Sequence, residues 1–365
     1  LWLNDRVPRK RKFKRLHSRH GKRGGGFRWM FVLVIIGVAA WFWWRHEHPV
    51  KEIVRQPVTA TKAPTTVKPQ SKPPVIARQS PADFPRPVRD VLEAQVALAR
   101  RGISPGSIDG AIGSQTRLAI SVFQQMNHLP ESGRLDTNTR PQLTLDAPIL
   151  TTYVVTTNDL ARLQPLGKTW LAKSQQSALD YETELELVAE TSHAHPEFIR
   201  RLNPNVNWAN VPAGTVLQIL DVNYPAPADK AAFVTIHLDG KFLEAFDAQT
   251  NLLAHFPCSI AARVEKRPVG ELHVAVVAPD PNYTFDPELF PEASETQKLV
   301  LPPGPNNPVG VAWIGLDKTG YGIHGTPAPE QIGRTESHGC FRLANWDAEY
   351  LLKLAWVGLP VEVLP

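Results

Sequence analysis

Sixteen consecutive residues, Trp29 to Trp44 (WMFVLVIIGVAAWFWW), carry no charge and follow directly on a basic arm. A helix over that run extends about 24 Å. That is short of the ~30 Å hydrocarbon core of a bilayer, but Phe27 and a snorkelling Arg28 lengthen it. A buried core helix is the weaker reading, because no polar stripe runs along it. Trp41, Trp43 and Trp44 suit the far membrane interface. Residues 1–28 hold 11 Lys/Arg against a single acid, Asp5, so the arm is expected to stay cytoplasmic and the rest of the chain to lie outside. A signal peptide cleaved near Val38-Ala39-Ala40 is the alternative. The sequence begins at Leu1 rather than Met, which leaves room for residues ahead of it.

The net charge of +5 belongs to that arm, since the remaining residues sum to −5. Nothing in the body has the footprint of a nucleic-acid surface. The basic arm serves topology and lipid attraction. From Pro49 to Pro87 nine prolines mix with Lys, Thr, Gln and Val, a composition that stays extended and reads as a stalk. An apolar fraction of 42% leaves ample material for packed domains beyond it. Two cysteines exclude a disulfide scaffold and a Cys-rich zinc module.

Residues 88–145 read as a small helical unit. Val88, Val91, Leu92, Leu98 and Ala99 mark the first helix, ended by Gly102. Ser114 is the expected N-cap of a second over Gln115–Asn127, with Ala119, Val122, Phe123 and Met126 on its core face. A third starts near Thr137. The run GSIDGAIGSQTRLAISVFQQMNHLPESGRLDTNTRPQL resembles the three-helix peptidoglycan-binding domain, through its IDG-x-x-G-x-x-T, FQ and G-x-LD-x-x-T elements. In residues 177–220, Leu185, Val188 and Ala189 suit one helix. Pro196 opens a second with Ile199 and Leu202, and Val211–Ile219 reads as a strand. The LNP junction and PAGTVLQI ending resemble the second half of a LysM glycan-binding module, with a degenerate opening strand near Tyr181. His193 and His195 read as solvated helix-end residues, because no third ligand is spaced for a metal.

From Ala231 the pattern turns to β. Phe233, Thr235 and His237 alternate ahead of an Asp239-Gly240 turn. Strands are expected over Leu252–Ser259, Glu271–Val277, Val309–Leu316, Gly322–His324 and Pro360–Val363, with one helix over Asn345–Trp356. The proline-rich stretch from Pro279 to Pro308, with Tyr283, Phe285 and Phe290, is expected to cover a substrate.

Chemistry concentrates at Ser337-His338-Gly339-Cys340-Phe341-Arg342. A thiol attacks as thiolate and needs a basic or cationic neighbour, which His338 and His324 can supply. Gly339 permits close substrate approach and presents N–H groups to an oxyanion. Arg342 can grip a carboxylate. Cys258 reads as a buried core residue, although a Cys258–Cys340 disulfide would be an inactivation hazard.

The segment YGIHGTPAPEQIGRTESHGCFRLANWDAEYLL resembles the L,D-transpeptidase catalytic domain, a peptidoglycan cross-linking family, over about Ala231–Pro365. The resemblance implies Cys340 as nucleophile, His324 as general base and the Gly325 carbonyl as its orienting partner. It further implies His338 and Gly339 in the oxyanion environment, Ser337 supporting the loop and Arg342 holding substrate. No cofactor or metal is implied. Where the family carries Thr-Pro-x-Gly, this chain has Arg267-Pro268-Val269-Gly270.

The expected organisation is therefore multidomain. A basic cytoplasmic arm (1–28), a transmembrane signal-anchor helix (29–44) and a Pro-rich linker (45–87) come first. A small all-α peptidoglycan-binding-like domain (88–145), an α+β LysM-like module (150–222) and a β-dominated L,D-transpeptidase catalytic domain (231–365) follow. The expected partners are peptidoglycan stem peptides and glycan, with the membrane at the N-terminal helix and no nucleic acid. The expected location is the cytoplasmic membrane, with the catalytic domain in the periplasm or wall space. The expected reaction is acylation of Cys340 by a tetrapeptide stem, release of D-alanine and a 3→3 cross-link. An L,D-carboxypeptidase, a wall-protein anchoring enzyme, a thiol peptidase and a non-catalytic wall tether are the alternatives.

Overall fold

The computed structural model describes residues 83–290, 293–334 and 339–365. The basic arm, the Trp29–Trp44 run, the linker through residue 82, and Ser337 and His338 lie outside the described residues. Among the described residues no helix is long and apolar enough to cross a membrane.

The first module places helices α1 (Val91–Ala99), α2 (Ser114–Met126) and α3 (Thr139–Gln142) beside a two-residue antiparallel ladder of β1 (Arg86–Pro87) and β2 (Thr144–Leu145), so it is not purely helical. Asp90 caps α1 through the Glu93 N–H. Ser114 lies inside α2 rather than capping it, because Gly113 takes the extended N-cap position. Met126 is exposed, since the helix has turned out of the core by its last residue. Helix α1 is buried almost all round. Its polar groups are satisfied internally: Glu93 is gripped by Arg86 and Arg89, and Gln95 reaches Asp109, Ala111 and Thr116.

The middle module opens with β3 (Leu150–Val154), followed by α4 (Thr157–Arg162) and α5 (Trp170–Ser174). Then come α6 (Glu184–Thr191), α7 (Pro196–Leu202) and β4 (Val216–Leu220), which pairs antiparallel with β3. The opening strand therefore sits some thirty residues before the expected Tyr181, and α5 occupies an insertion between them. Asn203 of the LNP junction stitches α7 to β4, bonding the Ile199 carbonyl and both backbone groups of Gln218. His195 is a helix-end residue whose ring accepts from the Glu197 N–H. His193 is not solvated: its ring lies between Tyr224 and Trp346, and burial pushes its pKa down to about 3.

The third module carries a mixed eight-stranded sheet. Its strands are β5 (Phe233–His237), β6 (Phe242–Phe246), β7 (Leu252–Pro257), β8 (Gly270–Pro279), β11 (Ala312–Leu316), β12 (Gly322–His324), β13 (Phe341–Arg342) and β14 (Pro360–Leu364). Their order is β13-β12-β11-β8-β14-β5-β6-β7. Helix α8 (Asn345–Leu354) packs on it through Ala348, Leu351 and Leu354. A separate hairpin, β9 (Tyr283–Phe285) with β10 (Leu299–Leu301), rises between β8 and β11 within the proline-rich stretch.

The modules are docked on one another. The edge strand β7 is covered by the first module, where Ile103 bridges His255 and the Ser104 and His255 amides bond across. That contact closes an edge that would otherwise invite intermolecular pairing. Ile108 bridges Ala194 of the middle module. Ser104, Tyr224 and Asp347 of α8 form a buried polar junction, with Tyr224 and Ser104 both donating to the Asp347 carboxyl.

Candidate active site

The site is built where two short strands run side by side. β12 and β13 are parallel, with Ile323 opposite Phe341 and His324 opposite Arg342. Continuing that register puts Gly322 opposite Cys340. Side chains alternate between faces along a strand, so Cys340, Arg342 and His324 share one face while Ile323 and Phe341 enter the core. Two residues along and one strand across amounts to about 8 Å between the Cys340 and His324 Cα atoms, within reach of an imidazole and a thiol.

On the other side of β12, Trp313 of β11 pairs with His324, and the two rings stack at 5.7 Å. The indole lies across Gly322, where a Cβ would sit 2.6 Å from its ring. Glycine at that position lets Trp313 floor the site and fix the plane of His324.

The His324 ring nitrogen Nδ1 is 2.6 Å from the Gly325 carbonyl. A carbonyl only accepts, so Nδ1 carries the proton and Nε2 is the basic nitrogen. The next group along is held as well: the Thr326 N–H donates to Asn345 Oδ1 at 2.9 Å. The Gly325 carbonyl and the Thr326 N–H belong to one planar peptide unit. Asn345 thus orients the plane that orients the base. Its amide nitrogen donates to the Pro305 carbonyl and, from the middle module, to Glu190 Oε1.

Burial pushes His324 down to about 4, opposed by the Gly325 bond and reinforced by Arg342. Burial pushes Cys340 up, against the Gly322 backbone bond and the Arg342 charge. Burial thus favours the neutral form of both groups. Cys340 is half-exposed, with Sγ 3.5 Å from the Gly320 carbonyl. Gly339 lies beside Tyr321. Arg342 exchanges backbone bonds with Ser259, and burial lowers its pKa. Cys258 is fully buried, and no disulfide joins it to Cys340. Arg267, in the divergent Arg-Pro-Val-Gly run, bonds the Ala261 and Ala262 carbonyls and so braces its own loop. Among the described residues no cluster of three or more His, Cys, Asp or Glu could hold a metal.

A thiol and a tautomer-fixed imidazole thus lie on one face of a sheet, beside an arginine. Residues 231–363 match the L,D-transpeptidase catalytic domain, and residues 88–143 match the "Putative peptidoglycan binding domain". Similarity to the "Putative L,D-transpeptidase YkuD" of Bacillus licheniformis is 26% identity over 182 residues, covering 50% of this chain and 93% of that protein. The "Putative L,D-transpeptidase YqjB" of Bacillus subtilis is 35% identical over 26% of this chain and 51% of its own length. The "Probable L,D-transpeptidase YbiS" of Escherichia coli is 32% identical over 30% of this chain and 33% of its own. The chain thus spans about half and a third of those two relatives. Among solved structures, L,D-transpeptidase 3 from Mycobacterium tuberculosis aligns with a TM-score of 0.31 at 17% identity, covering 43% of this chain and 76% of that one. Residues 231–363 are thus similar to the L,D-transpeptidase catalytic domain, and the stretch similar to a peptidoglycan-binding domain precedes them.

Proposed function

We propose that the chain is a peptidoglycan L,D-transpeptidase working at the outer side of the cytoplasmic membrane. Cys340 Sγ attacks the carbonyl of the third, diamino acid residue of a tetrapeptide stem as its proton passes to His324 Nε2. That proton leaves with the amine of the terminal D-alanine, and a thioester on Cys340 remains. An amine of a second stem displaces the sulfur to give the 3→3 cross-link. The family resemblance assigns Gly339 and His338 to the oxyanion environment, Ser337 to a supporting role and Arg342 to a substrate carboxylate. The observation carrying this reading is the shared face of Cys340 and His324, with Nδ1 committed to Gly325 and Nε2 left as the base.

Membrane anchoring by residues 29–44 and a periplasmic or wall-side location rest on the uncharged run and the basic arm before it. The LysM-like reading of the middle module rests on its LNP junction and PAGTVLQI ending, on helices α6 and α7 ahead of β4, and on the antiparallel pairing of β3 with β4.

Mass spectrometry of the protein with a stem tetrapeptide tests the enzymatic reading. An acyl adduct on Cys340, D-alanine release and cross-linked dimer are expected, with His324→Ala acylating slower by orders of magnitude. Release of D-alanine without dimer identifies an L,D-carboxypeptidase, and transfer to a protein amine an anchoring enzyme. Absence of any adduct identifies a non-catalytic wall tether. An N-terminus near Trp41 on a soluble protein would overturn the anchor.

A further inference from the structure

The residue that orients the base is itself held from outside the catalytic module. Asn345 Oδ1 accepts the Thr326 N–H, and it lies so close to the chain that a Cβ on Gly325 would sit 2.2 Å from it. The nitrogen of the same amide has two acceptors, and both lead to the middle module. Glu190 Oε1, near the end of α6, accepts at 2.9 Å. The Pro305 carbonyl accepts at 3.1 Å.

Pro305 stands in a segment that the middle module clamps. The Leu179 N–H donates to the Pro303 carbonyl, and the Asn306 N–H donates to the Leu179 carbonyl. Asn306 Nδ2 donates to the Asp180 carbonyl and to Glu186 of α6. Gly304, at φ +142°, runs against Leu179, where a Cβ would lie 2.2 Å from the carbonyl oxygen. Glycine is what lets the two backbones meet there. The next two residues of α8 are also held from outside the catalytic module. His193 stacks on Trp346 at 5.1 Å, and Tyr224 and Ser104 donate to Asp347.

We propose that Glu190 is a positioning residue for His324, acting through Asn345 on the peptide unit between Gly325 and Thr326, so that the middle module completes the catalytic apparatus. Glu190 touches no reacting atom. An acceptor at its place fixes the Asn345 amide, the amide fixes the peptide plane, and the plane aims the carbonyl that keeps the proton on His324 Nδ1. Without that acceptor the amide nitrogen keeps Pro305 alone, and the side chain can turn so that Oδ1 leaves the Thr326 N–H. The inference deepens the transpeptidase reading and rests on it for the identity of the acylating substrate.

The test follows a single turnover of Cys340 acylation by saturating stem tetrapeptide in the full chain. The amplitude counts folded, acylatable molecules, and the rate constant reports how the base is held. Glu190→Leu, which fills the space and accepts nothing, should keep the amplitude and lower the rate constant about threefold to tenfold, the span of one hydrogen bond. Glu190→Gln, which keeps an amide oxygen for Asn345, should stay within about twofold of the parent. In an Asn345→Ala background Glu190→Leu should cost no further rate, because its route to the base is already cut. A merely structural role would lower the amplitude and leave the rate constant unchanged. That result, or losses that simply add in the double variant, would overturn the proposal. A second readout needs no substrate. In heteronuclear NMR of histidine-labelled protein, with the His324 Nδ1–H assigned by its loss in His324→Gln, exchange of that proton with water should quicken in Glu190→Leu and not in Glu190→Gln. Equal exchange in the parent and the leucine variant would also overturn the proposal. Where the leucine variant does not fold, Glu190→Ala, which adds no bulk, carries the same expectations. If tetrapeptide acylates neither parent nor variant, the transpeptidase reading fails, and exchange of the His324 proton still decides what Glu190 does.

Discussion

Asn345 offers the sharpest perturbation of the base, because it is 1% exposed, sits at the start of α8 and makes three hydrogen bonds. Asn345→Ala removes all three, strands the Thr326 N–H and the Pro305 carbonyl, and leaves Glu190 Oε1 with only the 3.5 Å bond from the Tyr181 hydroxyl. A buried group left without a partner costs about 1–3 kcal/mol. The three share one pocket and will not add fully, so a loss of about 3–5 kcal/mol is expected. At about 2–4 °C per kcal/mol for a chain this long, Tm should fall by about 6–20 °C. The catalytic effect follows from the peptide plane. Freed at Thr326, the plane can tilt the Gly325 carbonyl away from His324 Nδ1, and losing about 1.4 kcal/mol of that bond is tenfold in rate. The assay is Cys340 acylation by stem peptide at 25 °C, where the variant is still folded, alongside a thermal melt. Asn345→Asp is the informative partner. It keeps the Oδ1 acceptor for Thr326 but turns a carboxylate oxygen toward the Pro305 carbonyl, which can only accept, so it should lose stability while acylating near the native rate. An alanine variant that melts within about 2 °C of the parent and acylates at the native rate would refute the account of how His324 is held.

Three further outcomes follow from the same geometry. Acylation of Cys340 should hold a plateau through neutral pH and fall on the acid side with a midpoint near 4, where His324 takes up its proton, as a pH–rate profile would read. For stability, Glu190 and Asp347, raised by burial to about 8 and about 7, keep protons that the unfolded chain releases near pH 4–5, so each favours folding less as pH rises to those values. His324 and His193, depressed by burial, do the reverse below about pH 6.5. The two effects oppose each other in mild acid, so Tm should fall chiefly between about pH 6.5 and 8, and Glu190→Gln with Asp347→Asn should flatten that fall. Gly322→Ala should drive Trp313 off its place, since the new Cβ lies 2.6 Å from the indole, and cost acylation at least tenfold, with the change in indole packing visible in near-UV circular dichroism.

The sequence exposed what is local and hid what is tertiary. Cys340, His324 and Arg342 stand in a short motif, and the alternation around Gly322–His324 already marks a strand, so their common face was within reach of the sequence. Asn345 was not, because its partners lie 19, 40 and 155 residues away and nothing local distinguishes it from an ordinary helix start. His193 reads as solvated from its helix-end setting, and only Trp346 and Tyr224, brought in by other modules, bury it. The opening strand of the middle module was sought near Tyr181 because the insertion carrying Trp170 separates it from the helices it belongs with. Ser114 looked like a cap because serine favours that position, but the backbone gives it to Gly113.

The docking of the modules changes what the peptidoglycan-binding domain can contribute. A domain on a flexible tether helps by raising local concentration, and linker length sets the gain. Here Ile103 adds to the edge of the catalytic sheet, Ser104 reaches Asp347 at the start of α8, and Gln115 Nε2 donates at 2.6 Å to the Ile332 carbonyl. Ile332 lies eight residues before Cys340 in the chain. The Gln115 contact thus joins the first module to the chain eight residues before Cys340, so the two modules are packed on each other and not connected by a tether alone.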